Sequence, residues 1–589
     1  MQNPISNITI QFFNMIYPIE ELKNQIEKNL KKTLSELNYN CEIKLERPPE
    51  EIGDFAFPCF NLAPIAKKSP NIIAEEISNK IKNIKWVKKI ENKSGYVNFK
   101  VDDRKYTQKI LESIDEKKDK YGFLKNKNKK VIIEHTSANP NGPLHIGRAR
   151  NPIIGDTMVR IFKTAGYDVE SQFYLDDMGK QVAILAWGVK NIKPETITEP
   201  DINKPDHKTV AFYQEASKKM NDNINILEEI NSLIKKSEEG NEKTINDIHK
   251  AYKPVLEGIN ESLKNINITV DKYIPESKFV KDKSVNLVIE KLKKSKYCAK
   301  EQGAYYLDMK HFGIKGRNTK FFFLRKNGTS LYATRDIAYH IWKSKKAEKL
   351  INILGEDHKL ESRQVEIVLK MLKTKIIPHV IFYSFVSLPG GKMSTRKGRV
   401  VYLDHLIDEC IKRAYDEVNK RRGHELTEEK MKKIAKIIAI GALRYNIIKI
   451  QPEKDIVFKW EDALNFEGNS APFIQYSHAR ASSIISKAKK TSSDKYNQEL
   501  IKHKTEIKLI KKLGEYPQII IEACENFKPH LITTYLFELS SQFNQFYRDC
   551  PVLIEKTELK KARLNLVNST KIVLKNGLNL LGIQAPEEM

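Results

Sequence analysis

Apolar residues return at helical spacing through residues 18–37, where Ile19, Leu22, Ile26 and Leu30 share one face. The pattern then shortens. Residues 41–45 and 54–60 read as strand-like pieces, 71–81 as a second helix, 94–101 as a strand and 103–116 as a third helix. A lysine-rich stretch over 117–130 separates this small α+β unit from the rest and puts a boundary near residue 118. Beyond it comes a βαβ pattern. Residues 131–135 form a short apolar strand, and 138–144 a turn rich in Pro, Gly and Asn. A helix over 146–165 stops at Gly166, and 169–175 form a second strand.

Residues 188–300 are charged, helical in period and poor in aromatics, and read as an insertion. Alternation resumes with a strand at 321–325, a helix at 334–345, a strand at 350–354, a helix at 361–372 and a strand at 380–385. That order predicts the second half of a doubly wound, Rossmann-type parallel sheet. From 403 onward the period is helical: 403–421, 428–450, 471–489, 501–527 and 531–547. The predicted class is α/β, in four parts. These are an N-terminal α+β domain (1–118), a central α/β domain (119–402), a helical connector (403–455) and an all-α helical bundle (456–589).

Composition narrows the classes. The longest apolar runs, 437–443 and 380–385, are too short to span a bilayer. Residues 1–17 show neither a cationic start nor a small-residue cleavage site, so a cytoplasmic protein with no membrane partner is expected. The six cysteines are scattered without a Cys-x-x-Cys pair, so no protein-bound structural metal is expected. The net charge of +27 suits a polyanionic partner, although a general lysine bias would coat any surface in the same way.

Two motifs carry chemistry. Leu144-His145-Ile146-Gly147-Arg148 follows a strand and opens a helix, where free N–H groups and the helix end favour anionic oxygens. His145 can donate to a phosphate, and Gly147 lets a flat ring lie on the backbone. The second motif is Pro389-Gly390-Gly391-Lys392-Met393-Ser394-Thr395-Arg396-Lys397-Gly398, a basic loop just after a strand. Lys392, Arg396 and Lys397 suit a developing diphosphate. Either alone also fits a helix cap or a solvated turn. Together, on the two halves of one sheet, they resemble the HIGH and KMSKS signatures of class I aminoacyl-tRNA synthetases. Arg148 stands at the second His of HIGH, and Thr395 at the second lysine of KMSKS. The resemblance implies ATP as substrate, brought with Mg²⁺. The ATP-site residues would be His145, Gly147, Lys392, Met393 and Ser394, with Arg148, Arg396 and Lys397 assisting catalysis.

Several stretches resemble the arginyl-tRNA synthetases. They are Glu134-His135-Thr136-Ser137-Ala138-Asn139-Pro140, Tyr174-Leu175-Asp176-Asp177-Met178-Gly179-Lys180-Gln181, Tyr332-Ala333-Thr334-Arg335-Asp336 and Leu580-Leu581-Gly582-Ile583. Tyr332 and Asp336, four apart, share a helix face, where Asp336 could pair with a guanidinium beside Tyr332. The alternative is an ordinary ion pair of Asp336 with Arg335 or a lysine. By resemblance Glu276 is a second acid for the guanidinium, and Glu134, Ser137, Asn139 and Gln364 hold the amino and carboxylate ends of L-arginine. The span from His145 to Lys392 leaves no room for a large editing domain.

The same resemblance implies tRNA(Arg) as partner and a monomeric enzyme. Tyr96 and Asn98 alternate onto one strand face that could stack on a base and read its edge, or else be a buried tyrosine and a turn asparagine. Ser470 and Pro472 mark a helix start, after which Phe473, Tyr476 and Arg480 form a stripe suited to unstacked bases. Tyr476, Tyr547 and Met589 are anticodon-side candidates by resemblance alone. Rival readings are a different class I synthetase, a non-catalytic RNA-binding relative, and a small nucleotidyltransferase.

Overall fold

The computed structural model describes residues 16–49, 51–316, 319–387, 402–488, 497–554 and 556–589. The N-terminal unit contains α1 (Pro18–Glu36), β1 (Phe55–Pro58), α2 (Ala63–Ala66), α3 (Pro70–Lys80), β2 (Val87–Lys93), β3 (Tyr96–Val101) and α4 (Asp103–Lys117). Leu22, Ile26 and Leu30 of α1 are fully buried, as their spacing requires. The sheet order is β1-β3-β2, all antiparallel. Residues 41–45 are not a strand, and only Glu46 bridges to Ala56. Strand β2 was not expected, because its sequence VKKIENK lacks alternating apolar positions and it lies at a wet sheet edge.

The central sheet is built from β4 (Lys130–Glu134), followed by α5 (Arg150–Thr164), and β5 (Asp168–Leu175). Helices α6 (Lys180–Asn191), α7 (Pro205–Asp222), α8 (Ile224–Glu238) and α9 (Glu242–Asn265) come next. Then follow β6 (Lys272–Pro275), α10 (Ser277–Lys281) and α11 (Ser284–Lys293). A small antiparallel sheet, β7 (Cys298–Glu301), β8 (Ala304–Asp308) and β9 (Lys320–Leu324), precedes α12 (Tyr332–Lys343). The chain returns through β10 (Lys349–Gly355), α13 (Lys359–Met371), β11 (His379–Tyr383) and β12 (Val386–Ser387). The five-stranded order is β11-β10-β4-β5-β6, with every pair parallel.

Two expectations are corrected here. The insertion does not run unbroken over 188–300, because β6 lies inside that stretch as the sheet's edge strand, pairing Tyr174 with Ile274. Four residues set among charged helices left too little periodicity to show it. The strand expected at 321–325 belongs to the antiparallel sheet, where Tyr306 and Phe322 pair across strands with ring centroids 5.3 Å apart.

Helices then dominate: α14 (Leu403–Arg422), α15 (Glu428–Ile448), and after the short β13 (Ile456–Val457), α16 (Trp460–Ala463), α17 (Ala471–Lys487), α18 (Lys504–Glu525), α19 (His530–Asp549) and α20 (Thr557–Leu580). Helix α17 starts as predicted, with Ser470 Oγ accepting from Phe473 N and Pro472 in the first turn. The 24-residue α20 was not singled out by pattern. Arg444, fully buried in α15, ties the parts together by donating to Leu581 O, Ile266 O and Asp156 Oδ2 at 2.6–2.8 Å. Gly582 explains the Leu-Leu-Gly-Ile ending. Its φ is +67°, and any Cβ there would lie 2.3 Å from the Arg444 guanidinium. No described helix is long and apolar enough to cross a membrane.

Candidate active site

Strand β4 is the first strand of the sheet, yet it lies in the middle. The chain leaves it toward β5 and β6 and later returns to its other side as β10 and β11. Ligands bind at the carboxyl ends of strands where the order reverses in this way. A cavity of about 410 Å³ opens there. It is lined by strand ends (Glu134, Tyr174, Asp176, Glu276 and Leu354), by the turn residues Ser137, Asn139 and Arg148, and by Tyr332, Asp336, His340, His358 and Glu361 from neighbouring helices.

The turn after β4 is built for anions. His145 caps the short helical turn Ile146–Arg148, its Nδ1 accepting from Gly147 N at 3.1 Å. That leaves Nε2 as the donor. Burial, then the nearby Arg148, lowers the His145 pKa, so the ring is a neutral donor at physiological pH. Helix α5 comes close to β4 at Gly155, where a Cβ would lie 2.3 Å from His135. Lys392, Met393, Ser394, Arg396 and Lys397 lie outside the described residues. Of the described residues nearest to them, β12 packs beside the Ile146–Arg148 turn, Tyr402 bridges to His145, and Leu403 N donates to Leu144 O at 2.7 Å.

The acids of the cavity are not equivalent. Asp336 is about a third exposed, with His340 Nδ1 3.0 Å from its Oδ1. Burial works to raise its pKa, but the N–H that His340 directs at it and then the Lys343 ammonium outweigh burial and leave it below its ordinary value. Neither Arg335 nor a lysine is its direct partner. Arg335 pairs instead with Glu276, Nε to Oε1 at 2.8 Å. Glu276, the second acid named by resemblance, is fully buried and already faces a guanidinium of its own chain. Burial pushes its carboxyl up to about 8 against the pull of Arg335, while Asp176 also pushes it up. Asp177, held by Ser277 N and Oγ, is pushed up by burial to about 6.

Glu134 is buried and paired with Lys343 at 2.5 Å, while Ser137 Oγ lies 3.4 Å from its other oxygen. Asn139 is held by Gln181 at 2.8 Å. Gln364 does not line the cavity. It is buried on α13, whereas Glu361, Ser362 and Val365 of that helix line the cavity. Motif reading missed Lys343, Asn352, His340 and Tyr174. One signal was available: Tyr332, Asp336, His340 and Lys343 are spaced 4, 4 and 3, a single polar stripe on α12.

The RNA-side candidates divide. Tyr476, Tyr547 and Met589 meet in one groove on the helical bundle with Phe473 and Arg480. Tyr476 and Tyr547 stay 41% and 44% exposed, with the Arg480 guanidinium 4.8 Å and 5.2 Å from their ring centres. On β3, Tyr96 packs edge-on against the exposed Phe60 at 5.1 Å. Asn98 is 3% exposed, beneath Gly53 and the β1 pairing, so Phe60 rather than Asn98 accompanies Tyr96 at the surface. Among the described residues one group has metal-ligand spacing: Asp206, His207 and Asp404. The Lys204 ammonium already lies 2.9 Å from Asp404 and serves as its cation.

Comparison with known proteins gives matches along the chain. The model described as "tRNA synthetases class I (R), catalytic domain" matches residues 110–460. "Arginyl tRNA synthetase N terminal domain" matches 20–101, and "DALR anticodon binding domain" matches 474–589. The arginine–tRNA ligase of Methanocaldococcus jannaschii is 44% identical over 584 residues, covering 97% of this chain and 100% of the relative. That of Methanocella arvoryzae is 44% identical over 530 residues, covering 90% and 92%. The solved arginyl-tRNA synthetase of Thermus thermophilus superposes with a TM-score of 0.82 at 26% identity, covering 96% of this chain and 100% of that one. With three family models matched along the chain, and a switch-point cavity where class I chemistry needs one, the chain belongs to the arginyl-tRNA synthetase family.

Proposed function

We propose that the cavity holds L-arginine with its guanidinium toward Asp336 and Tyr332 and its amino and carboxylate ends toward Glu134, Ser137 and Asn139. The observation that carries this reading is Asp336. It is partly exposed with no lysine or arginine paired to it directly, whereas Glu134 and Glu276 are each already paired with a buried cation. A planar cation finds its acceptor at that end.

The enzyme joins arginine to tRNA. The arginine carboxylate attacks the α-phosphate of ATP, which gives arginyl adenylate and releases diphosphate. A ribose hydroxyl at the tRNA end then takes the arginyl group, and AMP leaves. His145 and the helix start behind it stabilise phosphate oxygens by position and charge. On the strength of their sequence, Lys392, Met393, Ser394, Arg396 and Lys397 neutralise the departing diphosphate. Mg²⁺ would enter with ATP, bound by its phosphate oxygens. The groove of Tyr476, Arg480, Tyr547 and Met589 receives anticodon bases, and Tyr96 with Phe60 meets the body of the tRNA. The enzyme acts as a monomer.

Incubating the purified protein with total tRNA, ATP and each labelled amino acid in turn tests this. Arginine alone becomes attached. Attachment of another amino acid, or tight RNA binding with no attachment at all, would sink the assignment.

A further inference from the structure

Behind Asp336 runs a buried row of polar side chains, His340, Asn352 and Lys343, of which Lys343 lies behind the cavity wall. Lys343 is fully buried. Its ammonium can only donate, and it lies 2.5 Å from Glu134 Oε2 and 2.9 Å from Asn352 Oδ1. Glu134 and Asn352 are register partners across β4 and β10, on either side of the switch point, so one ammonium reaches both.

The rest of the row follows from donor and acceptor chemistry. With Oδ1 taken by Lys343, the Asn352 amide nitrogen faces His340, 3.0 Å from Nε2. An amide NH₂ only donates, so Nε2 must accept and the ring proton must sit on Nδ1. That nitrogen lies 2.8 Å from the backbone oxygen of Asp336, which only accepts, and 3.0 Å from Asp336 Oδ1. Turning the amide over would set NH₂ against an ammonium. Protonating Nε2 would set N–H against NH₂. Each link permits one arrangement. Every member but Asp336 is buried, and His340 and Asn352 reach the cavity wall beneath it.

We infer that Lys343, Asn352 and His340 are positioning residues for arginine recognition: they hold His340 as the Nδ1–H tautomer, which secures one oxygen of Asp336 and turns the other toward the guanidinium. The same ammonium orients Glu134, so both ends of the amino acid are set by one buried cation. This rests on the placement of arginine proposed above.

The test uses full-length enzyme labelled with ¹⁵N-histidine, with the His340 signals identified by their absence in His340→Asn. In the wild type His340 shows a neutral ring protonated at Nδ1. Finding the Nε2–H tautomer or an imidazolium at neutral pH overturns the inference, whatever any variant does. Asn352→Asp keeps the shape and still accepts from Lys343, but it also accepts from Nε2–H, and the His340 signals then report a protonated Nε2. Arginine-dependent ATP–diphosphate exchange, run with tRNA present, shows the KM for arginine raised by about tenfold or more, with kcat and the KM for ATP within about twofold. An arginine KM unchanged despite the protonated Nε2, or equal losses in kcat and both KM values, refutes the positioning role. Asp336→Asn serves as the control. If it too leaves the arginine KM unchanged, the placement of arginine fails rather than the relay alone.

Discussion

The arginine cavity and the bundle groove are both built from cations beside acids and aromatics, yet they use them in opposite ways. In the cavity the charges face inward. Lys343, His340 and Glu134 are almost entirely buried, and each is matched to a partner inside the protein. In the groove the Arg480 guanidinium rests against two tyrosines that keep over two-fifths of their surface open. On the placement proposed above, a small cationic ligand meets Asp336, an acid that no lysine or arginine of the cavity wall pairs with directly. On the same reading, unstacked bases would meet open π-faces that need no compensation. The first design concentrates free energy in few contacts, and the second spreads it thinly.

The sharpest way to break the contrast is Asp336→Ala. Arginine use should fall on the order of 10⁴-fold, about 5.5 kcal/mol in kcat/KM, because a buried guanidinium would lose its charged partner. Affinity for tRNA should stay within about twofold by filter binding. Unchanged arginine use would end the assignment of the pocket.

Lys343→Met tests the buried half of the comparison without touching ligand. It leaves Glu134 buried and unpaired, so denaturant unfolding should show a loss of about 3–5 kcal/mol. Arg480→Met in the groove should cost less than about 1 kcal/mol by the same measurement. Equal costs would erase the distinction.

His135, next to Glu134 in sequence, sharpens it through pH. Burial lowers its pKa from 6.5 to about 4 in the folded state. A depressed folded pKa means that protons bind the unfolded chain first. The stability it contributes is full above pH 6.5 and drains away as pH falls toward 4. Relative to a His135→Gln variant, the wild type should lose about 2 kcal/mol between pH 7.5 and pH 5 in urea titrations. Parallel pH curves would show that the ring is not held neutral.

The smallest effect is expected in the groove. Tyr476→Ala should raise the KM for tRNA by an amount worth about 1 kcal/mol, with the arginine KM unmoved. A change confined to arginine would show that the groove does not serve RNA.

Local rules made much of this molecule readable. The start of α17 at Ser470, the buried face of α1 and the turn at His145 each depend on residues within a few positions of one another, so spacing reveals them. The Tyr476 and Arg480 stripe was readable for the same reason. Strand β6 was not, because four residues at a sheet edge carry almost no period of their own and take their identity from the Tyr174 backbone beside them. Spacing left Asn98 open between a base-edge reader and a structural asparagine, and the turn at Gly53 over it shows it buried.

The amino-acid sequence by itself determined the family motifs, the helix periods and the acid that could face a guanidinium. Only the tertiary structure decided which acids remain available. Glu134 meets Lys343 across 209 residues, and Glu276 meets Arg335 through folds that no spacing rule encodes. A charge that is free in the chain can be spent in the fold, and Coulomb attraction in a dry interior acts through space rather than along the backbone.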